Sequence, residues 1–286
     1  MLTVIVGLTS ALVFGAADFL GGLSSKRIGS LLATPVAAVT GLVVLILVFP
    51  LLGGTWSWPA VVFGALSGVS GAAAIGLLYA CLAIGPMSIL SPLTAVVSAI
   101  VPLAVALARG DQLQPIGYFA LVIALVAVVL VGFVPEKGAV RPSLKGILMA
   151  LGSGVAIGTF LVLIDLTPDD SGIIPLIANR AVNATIMFVV FGVVTLLALR
   201  RGGTRPAVAR TGILLALACG VVDAAANAGL LFGVRIGELS VMAVLTATYP
   251  AGTILLAAIV LKERIAPVQY VGIALAIAAG AMLALA

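Results

Sequence analysis

Apolar residues run along this chain in long stretches, separated by short clusters of charge, Gly, Pro and Trp. A helix that crosses the ~30 Å hydrocarbon core of a bilayer needs about 20 such residues, each rising 1.5 Å. Ten runs of that kind read off the sequence, at 2–20, 31–52, 59–82, 87–108, 115–134, 144–164, 172–199, 211–234, 239–261 and 267–286. The alternation of a membrane β-strand is missing, which argues against a barrel. The pattern predicts an all-α integral membrane protein with ten transmembrane helices. Before the first run there is no positive segment, and its first cations, Lys26 and Arg27, follow it; this fits a retained helix rather than a cleaved leader. Trp56 and Trp58 precede the third run, where interfacial anchors belong.

Composition narrows the class. The chain is 63% hydrophobic and 8% charged, with a mean hydropathy of +1.39. A water-facing surface carries roughly 25% charged residues, so a soluble enzyme, a secreted disulfide framework and a disordered chain are all excluded. The net charge of +5 does not point to nucleic acid, because Lys and Arg sit singly or in small groups between apolar runs instead of on one arm or face. Cys81 and Cys219 lie deep in separate apolar runs and read as small buried filler. With no His and no acidic pair at ligand spacing, neither a metal site nor a cofactor is expected.

The two halves of the chain repeat. Sliding the sequence by 152 residues aligns Gly85 with Gly237, Ser88 with Ser240, and Leu93-Thr94-Ala95 with Leu245-Thr246-Ala247. The same offset pairs Asp111 with Glu263, Pro115 with Pro267 and Tyr118 with Tyr270. A shift of 140 pairs Pro35 with Pro175, and one of 143 pairs Gly15 with Gly158. The division is a first five-helix repeat at 1–134, a hydrophilic linker at 135–143 and a second five-helix repeat at 144–286. Five is odd, so the second half enters the membrane from the opposite side, and the halves are inverted-topology repeats. Secondary transporters are commonly built this way, with the substrate near the midplane between the halves.

These residues also carry a family resemblance. The Gly-x-x-Ser turn before helices 4 and 9, the acidic-x-x-x-Pro-x-x-Tyr link into helices 5 and 10, and Phe14-Gly15-Ala16 in helix 1 resemble the EamA family of the drug/metabolite transporter superfamily. The resemblance extends over essentially the whole chain. Phe14 stands where the family carries Trp, and Lys262-Glu263 replaces its Gly-Glu, while the first half keeps Gly110-Asp111. The resemblance implies a carrier, and some family members export amino acids and other metabolites. It also matches Arg180 to an arginine that many members carry in the second and seventh helices.

Charge sets an expected orientation. Odd-numbered links hold eleven Lys and Arg (Lys26, Arg27, Lys137, Arg141, Lys145, Arg200, Arg201, Arg205, Arg210, Lys262 and Arg264), whereas even-numbered links hold Arg109 and Arg235. Cytoplasmic links carry such an excess, so both chain ends are expected outside, together with Asp165, Asp169 and Asp170. The expected location is the plasma membrane, of bacterial type.

Candidate site residues are the polar groups that hydrocarbon should not tolerate. Arg180, early in helix 7, costs up to about 2.5–3.5 kcal/mol on insertion scales unless it faces the bundle interior. It reads either as a clamp for a carboxylate or phosphate, which the guanidinium fork suits, or as a hydrogen-bond hub. Asp223 lies near the middle of helix 8, with Asn227 one turn on. Paired with Arg180 it would be structural; alone it would suit proton coupling or a substrate amine. The 152 offset aligns Gly71 and Ile75 with these two positions, so the site is asymmetric. Asp18 reads as an interfacial residue at the end of helix 1, or as a gate or ion site. Ser91, Thr94 and Ser98 share one face of helix 4, as Thr246, Tyr249 and Thr253 share one of helix 9; they are expected to line a cavity or to bond neighbouring helices. Pro92, Pro102 and Pro250 permit kinks there.

Together these features predict a secondary transporter moving a small polar metabolite by alternating access, an amino acid or similar compound in the efflux direction. Arg180 favours an anionic group, Asp223 an amine, and both together a zwitterion. The partners expected are this small-molecule substrate and the bilayer, with no nucleic acid, in a monomer or homodimer. No nucleotide-binding motif is present, so ion or substrate gradients would drive the cycle. The alternatives are a lipid flippase or scramblase and an exporter of cationic drugs. An integral-membrane enzyme lacks any catalytic cluster to support it.

Overall fold

The computed structural model describes residues 1–84, 87–110, 114–132, 143–201, 209–262 and 266–285. These residues form helices joined by short links: α1 (Leu2–Ile28), α2 (Ser30–Leu52), α3 (Trp58–Ile84), α4 (Met87–Arg109), α5 (Pro115–Gly132), α6 (Leu144–Asp165), α7 (Ile174–Arg200), α8 (Arg210–Ile236), α9 (Leu239–Thr246), α10 (Pro250–Val260) and α11 (Pro267–Leu285). No strand occurs among the described residues. Seven segments are long and apolar enough to cross a membrane: α1, α2, α3 through Leu78, α6, α7, α8, and α9 with α10 taken as Leu239–Val260. Shorter apolar stretches lie in α4, α5 and α11. Leu47, Leu51, Phe119, Val189 and Ile259 are exposed, as lipid-facing side chains are. Gly85, Asp111, Glu263 and residues 135–142 of the linker lie outside the described residues, as do the side chains of Cys81, Ser88, Ser91 and Pro92.

Local chemistry explains where the helices stop. Ser143 caps α6, its Oγ accepting from the Gly146 N–H at 3.1 Å. Pro175 opens α7 in the first turn, where a missing N–H costs nothing. A single residue, Gly29, separates α1 from α2; its φ of 78° falls in the left-handed region that glycine tolerates. Two expectations change here. The first run was read as ending near residue 20, yet α1 continues through Gly21 and Gly22 to Ile28, placing Lys26 and Arg27 in its last turn, where cations suit the helix dipole. The ninth run was read as one helix, yet it breaks. Pro250 has no N–H to give the Thr246 carbonyl; Tyr249 donates to that carbonyl at 3.0 Å instead, and a turn separates α9 from α10.

Small residues let the helices meet. On α6, a Cβ at Gly154 or Gly158 would lie 2.6 Å from the Cβ of Val97 or Val101 on α4, closer than atoms approach. Gly15 of α1 holds the same relation to the Tyr249 carbonyl and Gly252, and Thr253 Oγ1 donates to the Gly15 carbonyl at 3.1 Å. In lipid, where apolar surface drives no association, such approach supplies the packing. The main pairings are α1 with α8, α3 with α6 and α7, α2 with α7 and α8, α4 with α6 and α9, α1 with α10, and α5 with α11.

Two ends of the bundle can be told apart. At one end Thr55, after α2, bonds Asp170, after α6, while Arg109 pairs with Asp165 at 2.5 Å and Arg235 Nη2 donates to Ser171 Oγ at 2.9 Å. At the other, Arg27 bonds Thr211 at 3.1 Å and Ser24 Oγ donates to the Gly212 carbonyl at 2.8 Å.

Candidate functional site

Asp223 stands midway along α8, thirteen residues from either end. Its carboxylate forms an ion pair with Arg180 of α7. The two helices meet through α2, on which both pack, and α2 presents Gly41 there. A Cβ at Gly41 would sit 3.3 Å from the Gly220 carbonyl and 3.7 Å from Arg180 Nε, so the guanidinium passes over a position that carries no side chain. Asn227, one turn beyond Asp223, donates to the Asp223 carbonyl at 2.8 Å and to its Oδ1 at 3.2 Å. The Arg180 side chain is 11% exposed and that of Asp223 25%. Two charges of opposite sign thus neutralise each other inside the bundle.

The pair faces a cavity of about 200 Å³. Polar lining comes from Asp18 (α1), Ser98 (α4), Asn179, Arg180 and Asn183 (α7), Asp223 and Asn227 (α8), and Thr246 with Tyr249 at the break between α9 and α10. Phe14, Ile157, Phe160 and Leu230 contribute apolar wall. A second cavity, about 100 Å³, shares Asp18, Ile75, Arg180, Asn183 and Asp223 with the first and continues past Thr34, Ser25 and Ala216. Those last residues lie toward the end of the bundle where Arg27 meets Thr211.

Of the residues singled out from sequence, Asp18, Ser98, Arg180, Asp223, Asn227, Thr246 and Tyr249 therefore surround one space. Thr94 does not. It is fully buried, and its hydroxyl donates to the Leu90 carbonyl at 3.0 Å and to the Ala150 carbonyl of α6 at 3.2 Å. Close approach of α6 at Gly154, whose Cβ would lie 2.8 Å from the Thr94 carbonyl, covers that face of α4. Asp18 is not at a helix end either, because α1 runs ten residues further; it is an intramembrane carboxylate exposed to both cavities.

Asn179 and Asn183 were missed by sequence reasoning. Asn183 lies three residues after Arg180, hence on the same helical face, and that spacing was a usable signal. Asn179 is buried and donates to Ser67 Oγ of α3 at 2.7 Å, which ties the cavity wall to the neighbouring helix. Thr246 Oγ1 is buried and has no hydrogen-bond partner among the described residues. No group of three or more metal-ligating side chains occurs among the described residues.

Residues 144–285 match the model of the EamA-like transporter family. A solved crystal structure of a protein superposes on this chain with a TM-score of 0.78 at 17% identity, covering 99% of this chain and 96% of that one; at that identity the likeness is one of fold. No curated protein matches the sequence.

Proposed function

We propose a multi-pass membrane carrier of the drug/metabolite type that moves a small polar metabolite by alternating access, a reading supported by the match of residues 144–285 to the EamA-like transporter family. The observation carrying this reading is the cavity where Asp18 of the first half faces the Arg180–Asp223 pair of the second. In the proposed architecture ten spans form two inverted five-helix halves, with α9 and α10 together making one broken span. The helix pairings support it. Exchanging α1–α5 with α6, α7, α8, α9–α10 and α11 turns α1–α8 into α3–α6, α2–α8 into α3–α7, and α4–α6 into α1–α10, all of which occur. A broken helix at the cavity is also the usual way such carriers free polar backbone for a ligand.

The substrate is proposed to be an amino acid or a similar amino compound, and the direction efflux, as in family members that export such metabolites. The membrane is proposed to be the plasma membrane, with the Lys/Arg-poor end of the bundle outside. A reporter active only in the cytoplasm, fused after Ala286, should then stay silent; activity would reverse the orientation.

Counterflow in proteoliposomes tests the carrier itself. Vesicles preloaded with a mixed panel of amino acids, amines, nucleosides and carboxylates should accumulate at least one labelled member of the panel against its gradient. Lipid translocation with no solute exchange would replace the carrier reading by that of a scramblase.

A further inference from the structure

Three ionisable side chains line the larger cavity, and two of them pair with each other. Asp223 is paired with Arg180 and further held by Asn227. Asp18 makes no hydrogen bond or ion pair with any described residue, and the nearby charge acting on it is the repelling carboxylate of Asp223. Among the described residues Arg180 is the one cation lining either cavity. The space therefore presents one carboxyl group with no opposite charge beside it, within a membrane span, where an ionisable side chain marks a binding function.

Other features of the wall point to the same ligand. Thr246 Oγ1, on the cavity wall, is buried without a partner among the described residues, and its residue is 8% exposed. A rotation about χ1 would turn that hydroxyl toward the cavity, where its oxygen can accept from an N–H. Phe14, one turn before Asp18, lines the same space as Phe160 and Tyr249, and aromatic faces attract cations. A carboxylate ligand, by contrast, would meet Asp18 and find its guanidinium already satisfied by Asp223.

Resting on the carrier reading above, we propose that the cargo is recognised through a cationic nitrogen held by Asp18 and Thr246, with no requirement for a carboxylate. The cavity, about 200 Å³, is somewhat larger than the ~150 Å³ cavity that admits benzene, so the cargo is a small primary amine of roughly eight to twelve heavy atoms, a size that includes amino acids bound by their ammonium end. Because Asp18 belongs to the first half and the pair to the second, such a cargo bridges the two halves.

The experiment compares three molecules with one skeleton and different charge in counterflow: phenethylamine, phenylalanine and hydrocinnamate, each against the mixed panel. Phenethylamine should exchange at least as well as phenylalanine, and hydrocinnamate should not exchange. Asp18→Asn, nearly isosteric, should cut amine exchange by at least about tenfold, the scale of a lost charge-assisted hydrogen bond, while remaining monodisperse in detergent. Asp18→Glu should restore it in part, which a merely misfolded Asp18→Asn would not predict. Exchange of hydrocinnamate, or amine exchange unchanged in Asp18→Asn, would overturn the proposal and leave the carrier intact. No exchange of any panel member would bring down the carrier reading and this proposal with it.

Discussion

Arg180→Ala and Asp223→Asn, each made alone, are expected to destabilise the protein by about 3–5 kcal/mol, whereas the double variant Arg180→Met/Asp223→Leu should lie within about 1–2 kcal/mol of wild type. The reason is an asymmetry of burial. Both groups sit inside the bundle, one 11% and the other 25% exposed, and each single change strands an uncompensated charge in the interior of the bundle. Removing both removes the desolvation cost along with the attraction. Asn227 loses a carboxylate acceptor in the double variant but keeps the Asp223-position carbonyl, to which it donates at 2.8 Å. Reversible unfolding in mixed detergent micelles measures all three. Single variants as stable as the double would show that the two charges act independently. Counterflow adds a second readout: since the Asp18 carboxyl group is untouched, the double variant should hold amine exchange within about tenfold of wild type. A complete loss would assign the pair a part in transport that its mutual neutralisation does not suggest.

The parts of this site legible in the sequence were those that hydrocarbon penalises. Arg180 and Asp223 stand out because an isolated charge in an apolar run must go somewhere, and the bundle interior is where it can go. What could not be read is that they meet. They lie on α7 and α8, and the contact depends on both helices resting on α2 at Gly41, a tertiary fact without a local pattern. Asp18 was misplaced for a local reason: Gly21-Gly22 reads as a helix terminus, and packing against α8 carries α1 through it. The symmetric expectation for Thr94 and Thr246 failed differently. Helical spacing assigns residues to a face but does not say what covers that face. For Thr94 the cover is α6, admitted by Gly154; Thr246 ends α9, where the turn before Pro250 borders the cavity. Matching positions in sequence thus leave the side-chain environment to be set by whichever helix packs against each.

Closure of one end of the bundle leads to the other large expectation. A disulfide between Thr55→Cys and Asp170→Cys, in a background with Cys81 and Cys219 changed to Ala, should stop counterflow by at least about tenfold, as a carrier held in one state would, and reductant should restore it. At this end the link after α2 and the link after α6 meet backbone to backbone. The Thr55 N–H donates to the Asp170 carbonyl at 2.8 Å, the Ile173 N–H to the Gly53 carbonyl at 3.4 Å, and Thr55 Oγ1 to Asp170 Oδ2 at 2.9 Å. Gly54 and Gly172, both at positive φ, lie directly against each other, and Arg109 pairs with Asp165 across the same seam. A backbone and a side-chain hydrogen bond hold these two residues against each other, and a disulfide needs Cα atoms roughly 4.4–6.8 Å apart. The cavities continue the other way, past Thr34 and Ala216, and exchange between two sides requires the zipped seam to part. Undiminished counterflow at full cross-linking, quantified by a gel shift after cleavage between the halves, would show that this end never opens and would remove alternating access by separation of the halves at this seam.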